Sequence, residues 1–180
     1  MERIRTEFEV TVGDFRKASY YGMFLQYRKP LRIMFVVLGV AIIYGVAGYM
    51  GMGKVNYLVL FLGAAYLIWG LLMFTRTERQ ILRYVKMPGS FVGCRYIVTV
   101  DSHKITFEIP ERKINASNQL NKLPCAFELN DLFLIYVSTQ QTFILPCRAL
   151  TETQRQELRR TLRERLGDNF GTRFERTNRR

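Results

Sequence analysis

The sequence predicts an α+β membrane protein in which a two-helix transmembrane hairpin is joined to a small antiparallel β-rich cytoplasmic domain with a C-terminal helix. Three observations carry that prediction. Two uncharged runs of 21 residues, Ile33–Gly53 and Val55–Thr75, are separated by Lys54 alone. Short segments that alternate apolar and polar residues follow them, and an arginine-rich stretch with leucines at positions 158, 162 and 166 comes after those. A mean hydropathy of −0.03 averages over this segregation and hides it.

At a helical rise of about 1.5 Å per residue, each run reaches roughly 31 Å, which matches the roughly 30 Å hydrocarbon layer of a bilayer. A core helix of a soluble protein carries a polar stripe at 3.6-residue spacing, and IMFVVLGVAIIYGVAGYMGMG has none. Gly51, Met52, Gly53, Lys54, Val55 and Asn56 leave room only for a tight reversal, so the two spans are expected as antiparallel neighbours. Tyr49 and Tyr57 flank the reversal and Trp69 lies toward the other end, where amphipathic rings suit a membrane interface. Arg28, Lys29 and Arg32 precede the first span and Arg76, Arg79, Arg83 and Lys86 follow the second, against Lys54 alone at the tip. That asymmetry predicts both termini in the cytoplasm of a cell that carries the chain as a multi-pass protein of its cell membrane. MERIRTEFEV places charges where a signal peptide needs its apolar region, so the anchor is expected to be retained. Ala41, Gly45, Gly48, Gly63, Ala64 and Gly70 allow close backbone approach. Packing inside the hairpin is the preferred reading of these small residues, with a homo-oligomeric face as the alternative.

The chain is expected to divide into residues 1–30, a strand and helix belonging to the cytoplasmic domain; 31–75, the hairpin; 76–166, the β-rich part; and 167–180, a basic disordered tail. EFEVTV alternates like a strand, and GDFRKASYYGMFLQYRK reads as a helix with Asp14 near its start. TRTERQILRYVK continues the second span until Met87, Pro88 and Gly89 break it. CRYIVTV and KITFEIP form a predicted hairpin around Asp101, Ser102 and His103, while ERKINASNQLNKLP reads as polar turn. CAFEL, DLFLIYV and TFILP supply three more strands, giving five in a largely antiparallel sheet that the N-terminal strand is expected to join across the hairpin. Thr151 and Gln154 announce a final helix as a capping box, and Gly167 stops it near Leu166.

FEVTVGDFRKASYY before the hairpin, ELNDLFLIYVS, and FILPCRALT leading into the final helix together resemble the YcxB-like family of small bacterial membrane proteins. The resemblance covers most of residues 7–166. It implies a transmembrane hairpin set ahead of a β-rich C-terminal domain, and no defined activity. A small sheet capped by a helix also resembles the bacterial pleckstrin-homology-like domains, an analogy of fold alone.

Chemistry is sparse. His103 is the single histidine, in a predicted turn without companions for a metal set. Cys94, Cys125 and Cys147 are odd in number and widely spaced, which favours buried reduced thiols over a disulfide framework. Asp101 with Glu108, and Glu128 with Asp131, read as solvated carboxylates at turns or on outward strand faces. Neither a phosphate-binding glycine loop nor a nucleophile elbow is present. No catalytic, cofactor or metal site is therefore expected, and the chain does not read as an enzyme. The hairpin interior holds no ionisable group, which argues against transport by the hairpin alone.

Charge is the strongest remaining signal, at net +12 from 27 Lys and Arg against 15 Asp and Glu. Anionic lipid is preferred over nucleic acid as the partner, since about 1 kcal/mol accrues per basic residue near a membrane surface and no base-stacking aromatic cluster accompanies the arginines. The lipid-contact candidates are Arg28, Lys29, Arg32, Arg76, Arg79, Arg83, Arg173, Arg176, Arg179 and Arg180. The arginines of the last helix are expected to be free, because its leucine stripe faces the sheet. Two function classes stay open: a membrane-anchored interaction module contacting a protein partner or anionic lipid, and an accessory subunit of a membrane enzyme or transporter.

Overall fold

The computed structural model describes residues 3–51, 57–138 and 141–172. Strand β1 (Ile4–Glu9) leads into helix α1 (Val12–Gln26), followed by the long helices α2 (Arg28–Tyr49) and α3 (Tyr57–Lys86). Strands β2 (Arg95–Val100), β3 (Lys104–Ile109), β4 (Ile114–Gln119), β5 (Cys125–Glu128), β6 (Leu132–Tyr136) and β7 (Thr142–Pro146) come next, then helix α4 (Glu152–Leu166) and strand β8 (Phe170–Thr172). The fold is α+β, and its chain forms two compact units, Met1–Ala18 with Pro88–Arg180, and Ser19–Met87.

In the β-rich unit, one sheet runs β1-β2-β3-β4 and the other β7-β6-β5-β8. β1 lies antiparallel to β2, with Ile4 opposite Val100 and Glu9 opposite Arg95, so the first strand joins residues about ninety positions later in the chain. Its bounds fall earlier than EFEVTV suggests. Thr11 and Asp14 explain the shift: the Asp14 carboxylate accepts from the Thr11 N–H at 3.0 Å, and the Thr11 hydroxyl accepts from the Asp14 N–H at 3.3 Å. This reciprocal cap starts α1 at Val12 and ends the extended run.

Alternation in β3 puts Ile105, Phe107 and Ile109 inside, and Phe107 stacks on Phe143 of β7 at 3.8 Å between ring centroids. The core therefore lies between the two sheets. Leu158, Leu162 and Leu166 of α4 are buried in it, as their four-residue spacing predicts. The capping box of α4 is present in both directions, with the Thr151 N–H donating to Gln154 Oε1 at 3.0 Å and the Gln154 N–H to Thr151 Oγ1 at 3.3 Å. Gly167 ends the helix at φ 51°, a conformation that favours glycine.

Two sequence expectations are corrected here. INASNQ, read as polar turn, is the edge strand β4, with every residue from Ile114 to Gln119 registered against β3. Residues 167–180, read as a tail, begin with a helical turn at Gly167–Asn169 and then β8, which pairs parallel to β5 and buries Phe170. The single expected sheet, five strands joined by the N-terminal one, thus becomes two sheets of four strands each.

In the other unit, α2 and α3 are antiparallel. A Cβ added to Gly45 would meet Leu60, one on Gly63 would lie 2.5 Å from the Ala41 Cβ, and one on Gly70 would lie 2.9 Å from the Met34 sulfur. Contacts that advance along α2 retreat along α3. Of the expected reversal, Gly51 is described, at φ 70°, while residues 52–56 lie outside the described residues. Both helices are long and apolar enough to cross a membrane.

Candidate functional site

Six of the ten sequence-selected basic residues lie on α2 and α3, and all six are exposed. Arg28, Lys29 and Arg32 occupy the first turns of α2, directly before its apolar stretch. Arg76, Arg79 and Arg83 follow the apolar stretch of α3 at spacings of three and four, which places them on one face. Together with Leu72, Thr75 and Gln80 they line an open groove of about 360 Å³. The acidic residue of that helix, Glu78, accepts a hydrogen bond from the Tyr20 hydroxyl at 2.9 Å. Arg173, Arg176, Arg179 and Arg180 lie outside the described residues.

Two arginines of α4, Arg155 and Arg159, are not free. Glu128, expected on a solvated face, is 5% exposed at the end of β5 and is clasped by both. The Arg155 Nε donates to one carboxylate oxygen at 3.1 Å and the Arg159 Nε to the other at 2.5 Å. A buried carboxylate needs such partners to stay charged. The hydrogen bond to Glu128 holds the Arg159 guanidinium above its ordinary pKa, against the opposing effect of burial. The sequence offered a faint signal, since arginines four apart on a helix present one face, but which carboxylate they face depends on tertiary packing.

A second clasp joins Arg148 to Asp14, with Arg148 Nη1 and Nη2 donating to the two carboxylate oxygens at 2.8 and 2.6 Å. Burial raises the Asp14 pKa, and the hydrogen bonds from Arg148 and Thr11 outweigh it, leaving the carboxyl below the usual aspartate range. The same guanidinium donates to the Glu9 carbonyl at 3.0 Å, which ties the end of β1 to the turn after β7. Both clasps are structural in geometry, because each carboxylate is covered and each of its oxygens is occupied.

The remaining reactive groups do not assemble. His103 is exposed in the β2–β3 turn. Cys94 is buried, whereas Cys125 and Cys147 are half-buried rather than fully covered, and all three are free thiols. Among the described residues, no cluster of three or more His, Cys, Asp or Glu could hold a metal ion. The arrangement offers charge display and packing surfaces. No family model matches this sequence, and neither the curated proteins nor the solved structures contain a match to it.

Proposed function

We propose that the chain is a membrane-anchored interaction module: α2 and α3 cross a cell membrane as a hairpin with both termini cytoplasmic, and the β-rich unit, pleckstrin-homology-like in plan, meets a protein partner or anionic lipid. One observation carries the anchor reading. The apolar windows of α2 and α3 have a mean hydropathy of 2.2, yet only 17% and 11% of each is buried. Core helices of a soluble protein of that hydropathy would be mostly covered. Here Phe35, Ile43, Leu58 and Phe61 are 64, 67, 66 and 72% exposed. Each such side chain gains about 1.5–3 kcal/mol on leaving water, so a bilayer is the environment that suits this surface.

The basic residues flanking both helices support the orientation, and the YcxB-like resemblance implies the same plan. Anionic lipid at Arg76, Arg79 and Arg83 suits the groove on α3, since the three cations emerge where the apolar stretch ends.

Topology is tested with cysteines placed at exposed Tyr49 and Thr153 in a background lacking native thiols. A membrane-impermeant maleimide is expected to label Tyr49→Cys in intact cells and Thr153→Cys only after permeabilisation. The opposite pattern reverses the orientation, and release of the chain by alkaline carbonate removes the anchor. Recovery of a membrane enzyme or transporter subunit at fixed stoichiometry from detergent would favour the accessory role instead.

A further inference from the structure

The geometry points to a phosphate-binding site on the β-rich unit, in the cavity formed by His103, Lys104, Gln119, Asn121 and Arg165. The open cavity measures about 390 Å³, within the roughly 300–1,000 Å³ of small-ligand sites, and the five residues that line it are polar or cationic by type, the side-chain stems supplying its apolar surface. That lining selects for a compact anion.

Three segments build it. Lys104 and Gln119 are direct partners across the β3–β4 ladder, so both side chains leave the sheet on the same face. The His103 carbonyl accepts from the Leu120 N–H at 2.9 Å, which fastens the β2–β3 turn to the end of β4. Leu120 is fully buried and fixes Asn121 beside it. Arg165 comes from the last turn of α4, where its neighbour Leu166 and, one turn earlier, Leu162 are held in the core. The backbone of the walls is thus anchored while the five polar ends stay exposed.

The charge is uncompensated. Among the described residues no carboxylate lines the cavity. Asp101, in the adjoining turn, is engaged by Arg3 Nε at 3.4 Å. Among the described residues neither Lys104 nor Arg165 forms an ion pair, in contrast to Arg155 and Arg159 on the same helix. The carbonyl end of α4 opposes an anion with roughly half an elementary charge, and two full cations outweigh it. An ammonium, a planar guanidinium, an imidazole and two amides offer more donors than a carboxylate can accept, and the four oxygens of a phosphate can take more of them.

The site stands apart from the anchor reading, and the first arm of its test does not require a bilayer. The chain has one histidine, so the His103 ring gives one set of ring resonances that reports on the cavity. The full chain in dodecyl maltoside micelles is titrated with inorganic phosphate at constant pH and ionic strength. In a second arm it is placed in phosphatidylcholine nanodiscs with or without phosphatidylglycerol. A saturable shift with inorganic phosphate, weakened at least tenfold by Lys104→Gln with Arg165→Gln and unchanged by Arg160→Gln, supports the site with a soluble phosphate compound as its ligand. A shift seen only with phosphatidylglycerol, and lost in the same double variant, supports it with a lipid head group as the source. No saturable shift in either arm, or one that survives the double variant, overturns the proposal. Both replaced side chains are exposed, and an unchanged amide spectrum verifies that the fold is kept.

Discussion

Replacing Glu128 tests whether the clasp at the end of β5 holds α4 in place. In the parent, the carboxylate is 5% exposed and receives Arg155 and Arg159, whose side chains are 25% and 35% exposed. Glu128→Gln keeps one acceptor and removes the charge, and both guanidinium groups can recover water from their exposed sides. The cost should be about 1–3 kcal/mol, the range for losing hydrogen bonds to a charged group. Arg155→Gln with Arg159→Gln is expected to be worse, at about 3–5 kcal/mol, because a buried carboxylate is then left without a cation. Combining all three substitutions should recover part of that loss. Amide exchange of the full chain in micelles, read on peptides covering β5 and β8, measures the order. At about 1.4 kcal/mol per tenfold, protection should fall roughly 5- to 150-fold in Glu128→Gln and further in the arginine pair. A surface ion pair contributes only about 0–1 kcal/mol. If Glu128→Gln leaves protection unchanged and the arginine pair is no worse, the clasp is of that weaker kind and the argument fails.

Asp14→Asn should cost about 1–2 kcal/mol at pH 7 through the cap of α1 and the Arg148 clasp. Because the folded Asp14 pKa is lowered, that contribution is full above the ordinary aspartate value of about 3.9 and is lost as pH falls below it toward the folded value. Exchange protection of parent and variant should therefore converge in acid, and a constant gap would refute the assignment. Burial raises the pKa of Cys94 and Cys147, so both should alkylate several-fold more slowly at pH 7 in the folded chain than in SDS; equal rates would contradict the packing. Gly63→Ala should lower the melting midpoint of the hairpin more than Gly70→Ala, since the first meets a fixed Cβ and the second a flexible methionine end. Trp69, the single tryptophan, lies on α3 and reports that transition by fluorescence; the reverse order would refute the close approach.

Local chemistry explains what could be read from the sequence. α2 and α3 announced themselves by composition, the β2–β3 hairpin by the alternation of Ile105, Phe107 and Ile109, and α4 by a cap that Thr151 and Gln154 complete between themselves. β4 escaped because it is an edge strand. Its inward positions are Ile114, Ala116 and Asn118, all half-buried, so the apolar signal on which alternation depends is weak. β8 escaped because three residues carry no period, and its partner β5 lies more than forty residues earlier in the chain.

The charges show the same limit more sharply. Counting gives net +12 and a helix crowded with arginine, from which a free basic face follows if every leucine points inward and every arginine outward. The structure divides those arginines by where the sheet ends. Arg155 and Arg159 reach back to Glu128, 27 and 31 residues earlier, and neutralise a carboxylate that looked solvated. Arg165, nearer the end of the same helix, pairs with no carboxylate among the described residues and lines a cavity with Lys104 and His103 at the rim of the other sheet. Under two turns of helix separate Arg159, held on a buried carboxylate, from Arg165 in the proposed phosphate site. The difference lies in which strand ends beside each, a relation that no spacing within α4 encodes.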